Sequence, residues 1–210
     1  MTKNKARIAV LVSGGGTNLQ ALLDAQRDGI IKSGEIVLVI SSKPGVYALE
    51  RAAKAGVRGE VACRRDLGTQ QAFEDKILSL LESEKIDLII LAGFMSILSK
   101  DFVAKYDRRI INVHPSLIPA FCGEGYYGLR VHEAALERGV KLTGATVHFV
   151  NEIADGGEII FQRSVAVRKG DTPEILQKRV MEKAEWILLP RAAEQVSREI
   201  VKSRGKINLK

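Results

Sequence analysis

Three side chains of complementary chemistry stand out: the amide of Asn112, the imidazole of His114 and the carboxylate of Asp155. Asn112 and His114 lie two apart in Asn112-Val113-His114-Pro115-Ser116, behind the β-branched pair Ile110-Ile111, and Pro115 stops the strand. That spacing places both on one side of a strand, at the end where its loop begins. Open α/β sheets bind ligands beyond the carboxyl ends of their strands. Asp155 comes much later, followed by Gly156 and Gly157, a turn that can bring its carboxylate against His114. Amide, imidazole and carboxylate together polarise a carbonyl, hold an oxyanion and move a proton. A carboxylate facing His114 would favour the protonated ring, which donates to a developing oxyanion.

The second candidate is Ser13-Gly14-Gly15-Gly16-Thr17-Asn18, between a strand and a helix. Its glycines allow close backbone approach, and the helix N-terminus offers unpaired N–H groups to a phosphate. A tight turn with no ligand is the alternative. A dinucleotide fingerprint would need Gly at Leu19 and an acid where Ser41-Ser42-Lys43 stands; a P-loop would need Gly-Lys-Ser/Thr. The loop therefore suits a monophosphate better than NAD or ATP. Phe94-Met95-Ser96-Ile97-Leu98 reads as pocket lining or core. Of the three histidines, His132 reads as a surface or capping residue, and His148 as structural or supporting. No metal is expected, since three or four convergent ligands are missing.

These groups need a scaffold, and the pattern supplies one. Strands are expected over Ile8–Val12, Ile36–Ser41, Gly59–Cys63, Leu88–Ala92 and Ile110–His114. Helices are expected over Asn18–Arg27, Tyr47–Ala55, Gln70–Glu84 and Lys100–Tyr106. Such alternation implies a doubly wound, mostly parallel open α/β sheet with a Rossmann-type N-terminal half. Beyond His114 comes a long loop to Arg130, a short helix near Val131–Glu137, strands over Thr143–Val150 and Glu158–Val167, and one helix from Pro173 to Val201. The C-terminal part is thus mixed. One domain is expected over residues 1–201, with a basic, flexible tail over 202–210.

At 210 residues, 46% hydrophobic and 27% charged, the chain can bury a full single core. Mean hydropathy is +0.01; no apolar run suits a membrane span, and the first residues are not a secretory signal. The +7 charge raises nucleic acid as a partner. Its Lys and Arg are scattered, with a local excess only from Lys202 to Lys210, so anionic small-molecule substrates account for it better. Cys63 and Cys122 are unpatterned, and a reducing cytoplasm is expected. No nucleic-acid or membrane partner is expected, and the chain is read as a monomer or homodimer.

The residues also carry a resemblance. Ser13-Gly14-Gly15-Gly16-Thr17-Asn18-Leu19-Gln20, Leu91-Ala92-Gly93-Phe94-Met95, Asn112-Val113-His114-Pro115-Ser116-Leu117-Ile118-Pro119 and Asp155-Gly156-Gly157 occur in the order seen in the phosphoribosylglycinamide formyltransferase family. The Asn/His/Asp set alone resembles the wider folate formyltransferase group; the Gly-rich loop and the length narrow it. Methionyl-tRNA formyltransferases carry a further C-terminal domain and formyltetrahydrofolate deformylases an N-terminal one, for which this chain has no room.

The resemblance implies formyl transfer from the co-substrate 10-formyltetrahydrofolate to the amine of glycinamide ribonucleotide, with Asn112, His114 and Asp155 catalytic. A formyltetrahydrofolate hydrolase is the alternative. It further implies that Gly16, Thr17 and Asn18 hold the phosphate and Glu185 the ribose. Gln70, Met95, Ser96, Ile97, Leu98, Asn112, Asn151, Glu152, Ile153, Ala154 and Asp155 would meet the folate. Relatives often carry Arg where Ser96 and Gln70 stand, which bears on the folate tail. The segment Phe121–Gly128 is richer in Gly and Tyr than in many relatives, and the last helix can slip by one residue around Lys183.

Overall fold

Apolar, β-branched runs build the sheet. The computed structural model describes residues 5–207. Its strands are β1 (Ala6–Val12), β2 (Gly34–Ser41), β3 (Arg58–Val61), β4 (Leu88–Leu91), β5 (Ile110–His114), β6 (Leu142–Phe149) and β7 (Ile159–Ala166). They form one seven-stranded sheet in the order β3-β2-β1-β4-β5-β6-β7. The pairs from β3 to β5 are parallel, while β6 runs antiparallel to β5 and β7 to β6. The doubly wound, mostly parallel sheet with a mixed C-terminal part is therefore as expected.

Residues on opposite faces of β1, β2, β4 and β5 feed two cores. Ile8, Val10 and Val12 face one with α1 (Thr17–Arg27), α2 (Tyr47–Lys54), α6 (Leu129–Arg138), α7 (Pro173–Val180) and α8 (Trp186–Ile207). Ala9 and Leu11 face the other with α4 (Gln70–Ser83) and α5 (Lys100–Lys105). A one-turn helix, α3 (Arg64–Leu67), was not anticipated. With both faces covered, central strands can be apolar throughout. β1 has β2 on one side and β4 on the other, so the order reverses beside it. Ligands collect at such switch points.

The expected single helix from Pro173 to Val201 is instead broken by a π-helical turn over Met181–Glu185. The register slip anticipated around Lys183 falls inside it. The turn ends just before Trp186, four residues ahead of Pro190, whose ring would crowd the Trp186 carbonyl in a regular helix. π-turns absorb one extra residue and recur at functional sites. The helix also continues through residues 202–207, where a tail was expected; residues 208–210 lie outside the described part.

The entry to this helical unit is fixed by charge. Asp171 takes both Arg179 guanidinium nitrogens, at 2.5 and 2.6 Å, and the Arg168 N–H at 2.7 Å. Thr172 caps α7 and Pro173 occupies its first turn. The Arg179 bonds outweigh desolvation and hold the Asp171 carboxyl down at about 2. An acid depressed on folding adds stability above its unfolded pKa, about 3.9, and loses it as pH falls through the folded value. Asp171→Asn should thus lower the melting temperature at pH 7. Calorimetry between pH 5 and about 2 should show the two proteins converging; a constant gap would refute the ion-pair origin.

Candidate active site

The antiparallel pairing of β5 with β6 assembles the site. Asn112 lies opposite His148 and His114 opposite Thr146, so all four side chains share one face. The turn after β6 folds back over this face. Gly157 lies so close to the chain that an added Cβ would stand 1.7 Å from the Phe149 carbonyl oxygen. Asp155 has φ +54°, a left-handed conformation that Asp tolerates better than most residues.

This turn brings the Asp155 carboxylate within 3.4 Å of His114 Nδ1 and 3.5 Å of His148 Nε2. Its Oδ2 also accepts the Gly123 N–H at 2.9 Å. Burial alone would push the carboxyl up. The hydrogen bonds from His148 and Gly123 and the charges of His114 and His148 outweigh it, so Asp155 sits below its ordinary range. His148 Nδ1 donates to the Phe149 carbonyl at 2.8 Å, and its Nε2 lies 3.2 Å from Asn112 Nδ2. In the neutral ring Nε2 accepts from Asn112; a second proton makes it a donor to Asp155. His148 therefore has the supporting role, one of the two readings its strand position left open.

His114 is buried at the base of the site. Its Nε2 lies 2.8 Å from the Phe121 carbonyl, an acceptor, while Nδ1 faces Asp155. Only a doubly protonated ring donates in both directions. Phe121 itself has φ +51°, unusual for a bulky residue, which aims its carbonyl at the imidazole. The loop before it is held by Thr146, whose Oγ1 donates to the Ser116 carbonyl at 2.7 Å and accepts the Ile118 N–H at 3.1 Å. Cys122 lies in the same loop, its thiol pushed up by burial and by Asp155, which leaves little reactive thiolate.

Two cavities meet here. One of about 430 Å³ is bordered by Asn18, Asn112, His114, His132, Asp155 and Glu185, and also by Met95. The other, about 340 Å³, lies between Leu91, Phe94, Ser96, Leu98 and Val150 and the turn residues Asn151, Glu152, Ile153 and Ala154. Ile97, Asn112 and Asp155 border both. Gln70 borders neither. Its amide donates to Glu74 at 2.6 Å and to the Ile97 carbonyl at 3.0 Å, bracing the segment from behind. Glu74 also accepts the Ser99 N–H at 2.6 Å, fixing the end of that segment.

Of the glycine-rich loop and its helix start, Asn18 borders the larger cavity, while Thr17 borders a separate small pocket with Arg51. Beside them Gly16 has φ +72°, and an added Cβ would fall 2.7 Å from that of Ala48. Only glycine combines this conformation with this approach. No side chain caps α1 and no acid occupies its first turn, so the N–H groups of that turn remain available to an anion. Arg51 on α2 donates to the Gly15 carbonyl at 2.8 Å and to Gln20 at 2.9 Å, placing a fixed cation beside the loop. Nothing in its helical surroundings marks Arg51 in the sequence.

His132 corrects the sequence reading. It is neither surface nor cap but wholly buried and on the cavity wall. Its helical spacing from Ala135 and Leu136 was the available signal. Among the described residues, no group of three or more His, Cys, Asp or Glu could hold a metal ion, and no helix is long and apolar enough to cross a membrane.

The π-turn directs Glu185 inward, where Asn18 Nδ2 donates to it at 2.7 Å. Burial, only partly offset by that bond, pushes its carboxyl up to about 7. An acid raised on folding favours the native state fully below its unfolded pKa and loses that benefit as pH rises through the folded value. Glu185→Gln should therefore melt above the wild type at pH 8, with the gain gone near pH 4. Equal melting at pH 8 would mean the carboxylate is ionised at no cost.

A formyl transferase family model matches residues 6–192. A phosphoribosylglycinamide formyltransferase from Haemophilus influenzae is 41% identical over 88% of this chain and 84% of its own length. The trifunctional purine biosynthetic protein adenosine-3 of Gallus gallus is 44% identical over 97% of this chain, which spans only 20% of that protein. Among solved structures, glycinamide ribonucleotide transformylase 1 from Symbiobacterium toebii superposes with a TM-score of 0.87. It is 39% identical, with 94% of this chain and 90% of that one covered.

Proposed function

This chain belongs to the formyl transferase family, and from that premise we propose that it moves a formyl group from 10-formyltetrahydrofolate to the primary amine of glycinamide ribonucleotide. The observation that carries the reading is the junction of two cavities at Asn112 and Asp155. A transfer between two bound molecules needs two compartments with catalytic groups where they meet. The one walled by Leu91, Phe94, Leu98 and the turn Asn151–Ala154 suits a flat pterin; Ser96 lies at its rim. The other reaches Asn18, next to Gly16 and Thr17, whose helix terminus with Arg51 suits a phosphate, and Glu185, which suits ribose hydroxyls.

In this reading the amine attacks the formyl carbon and a tetrahedral oxyanion forms. His114 turns its Nε2–H from the Phe121 carbonyl to that oxygen, and the Asn112 amide donates beside it. Asp155 faces Nδ1 and orients the ring. His114 gives a proton to the departing folate nitrogen as its C–N bond breaks, and takes up the one shed by the attacking nitrogen, directly or through a water held by Asp155. Charge is exchanged among neighbours and no covalent enzyme intermediate is needed. A hydrolase would leave the polar far wall without a task, so transfer is the reading we adopt. With two unpaired cysteines, the cytoplasm is the compartment proposed.

The test is turnover of 10-formyltetrahydrofolate with and without glycinamide ribonucleotide, following tetrahydrofolate and formate separately. Ribonucleotide-dependent turnover without formate is the expected result; formate release in its absence would make the protein a hydrolase. Asp155→Asn should lose at least about 100-fold in kcat, and undiminished turnover in that variant would sink the mechanism. Arg51→Ala should raise KM for the ribonucleotide roughly tenfold with little change in kcat.

A further inference from the structure

His132 is left unused by this mechanism. Its side chain is fully buried on α6, and it borders the cavity that also takes in His114, Asn18 and Glu185. Neither ring nitrogen has a hydrogen-bond partner among the described residues. Buried polar groups ordinarily find partners, and each exception calls for a reason. The Asn18 side-chain oxygen on the same cavity is also unpartnered. Three of the six unpartnered buried side-chain atoms found among the described residues thus belong to two residues that border one cavity.

The chemistry a partner would need follows from the state of the ring. Burial first, and the charge of His114 second, push the His132 pKa down to about 4. Above that pH the imidazole is neutral, with one N–H and one lone pair. It therefore repels no cation and can accept from an amine.

Building on the formyl-transfer reading, we propose that His132 is a further substrate-contacting residue, its neutral imidazole accepting a hydrogen bond from the acceptor's primary amine. Holding one amine N–H there turns the nitrogen lone pair toward the formyl carbon. Attack needs that alignment, and a misplaced nucleophile is slow even when bound. His114 and His132 divide the work: the first serves the oxygen and the second, neutral ring the nitrogen.

The test pairs His132→Leu with His132→Asn and reads stability beside kinetics. Leu removes two unsatisfied nitrogens, so it should melt at or above the wild-type temperature. Its kcat/KM for glycinamide ribonucleotide should fall roughly 10- to 100-fold while KM for the formyl donor stays unchanged. Asn, which keeps an acceptor, should recover part of the loss. A Leu variant with wild-type kcat/KM overturns the inference. So does a Leu variant that melts lower or fails to fold, because His132 would then be a satisfied structural residue. A wild type that transfers nothing to the ribonucleotide overturns the function itself, and this inference with it; an active wild type with an unaffected Leu variant overturns this inference alone.

Discussion

Everything at the reaction centre depends on one carboxylate standing between two imidazoles. Asp155 lies 3.4 Å from His114 and 3.5 Å from His148, and a third contact, from the Gly123 N–H, closes its shell. Burial alone would raise the pKa of this carboxyl. Its charge is kept by these three neighbours, and in return it orients both rings. Two architectural choices make the contact possible. β6 runs antiparallel to β5, which puts His148 opposite Asn112, and the following turn folds back across the sheet face instead of away from it.

The segment after His114 is tied to the same centre. Phe121 offers its carbonyl to His114 and Gly123 its N–H to Asp155, so one loop satisfies one group on each partner. Thr146 anchors the start of that loop from the neighbouring strand. Backbone groups thus hold the side chains proposed to be catalytic. The exchange of one carbonyl acceptor for another needs little reorganisation of charge, which is how preorganised sites lower barriers.

Much of this was legible in the sequence because periodicity and punctuation report local structure. Ile110-Ile111 ahead of Asn112 and His114 marked a strand, Pro115 its end, and Gly14-Gly15-Gly16 the turn before α1. What was not legible depends on tertiary contact. The π-turn arises where Pro190 constrains a helix whose residues otherwise read as regular. Arg51 sits on an ordinary helix face and acquires meaning only when α2 packs beside the glycine loop. Gln70, expected at the folate, is drawn inward by Glu74, a buried acid that no local pattern announces. His132 stands between apolar Val131 and charged Glu133, which leaves its exposure undecided locally, whereas its face of α6 is turned into the fold.

The two ends of the larger cavity differ in how completely their polar groups are satisfied, and that difference carries chemical meaning. At the reaction centre each of Asn112, His114, His148 and Asp155 has a protein partner. On the opposite wall, Asn18 keeps an unpartnered oxygen, His132 two unpartnered nitrogens, and Glu185 a carboxyl raised to about 7 by burial. Folding alone would favour apolar residues at all three places, since unmade buried hydrogen bonds cost stability. A wall left short of partners binds best whatever brings them, and an amine, hydroxyls and an amide are what a glycinamide ribonucleoside offers. Catalytic groups must be held still before the substrate arrives, so the fold completes their bonds itself. Recognition groups gain most when the ligand completes them, because an analogue lacking one donor then leaves a buried acceptor bare.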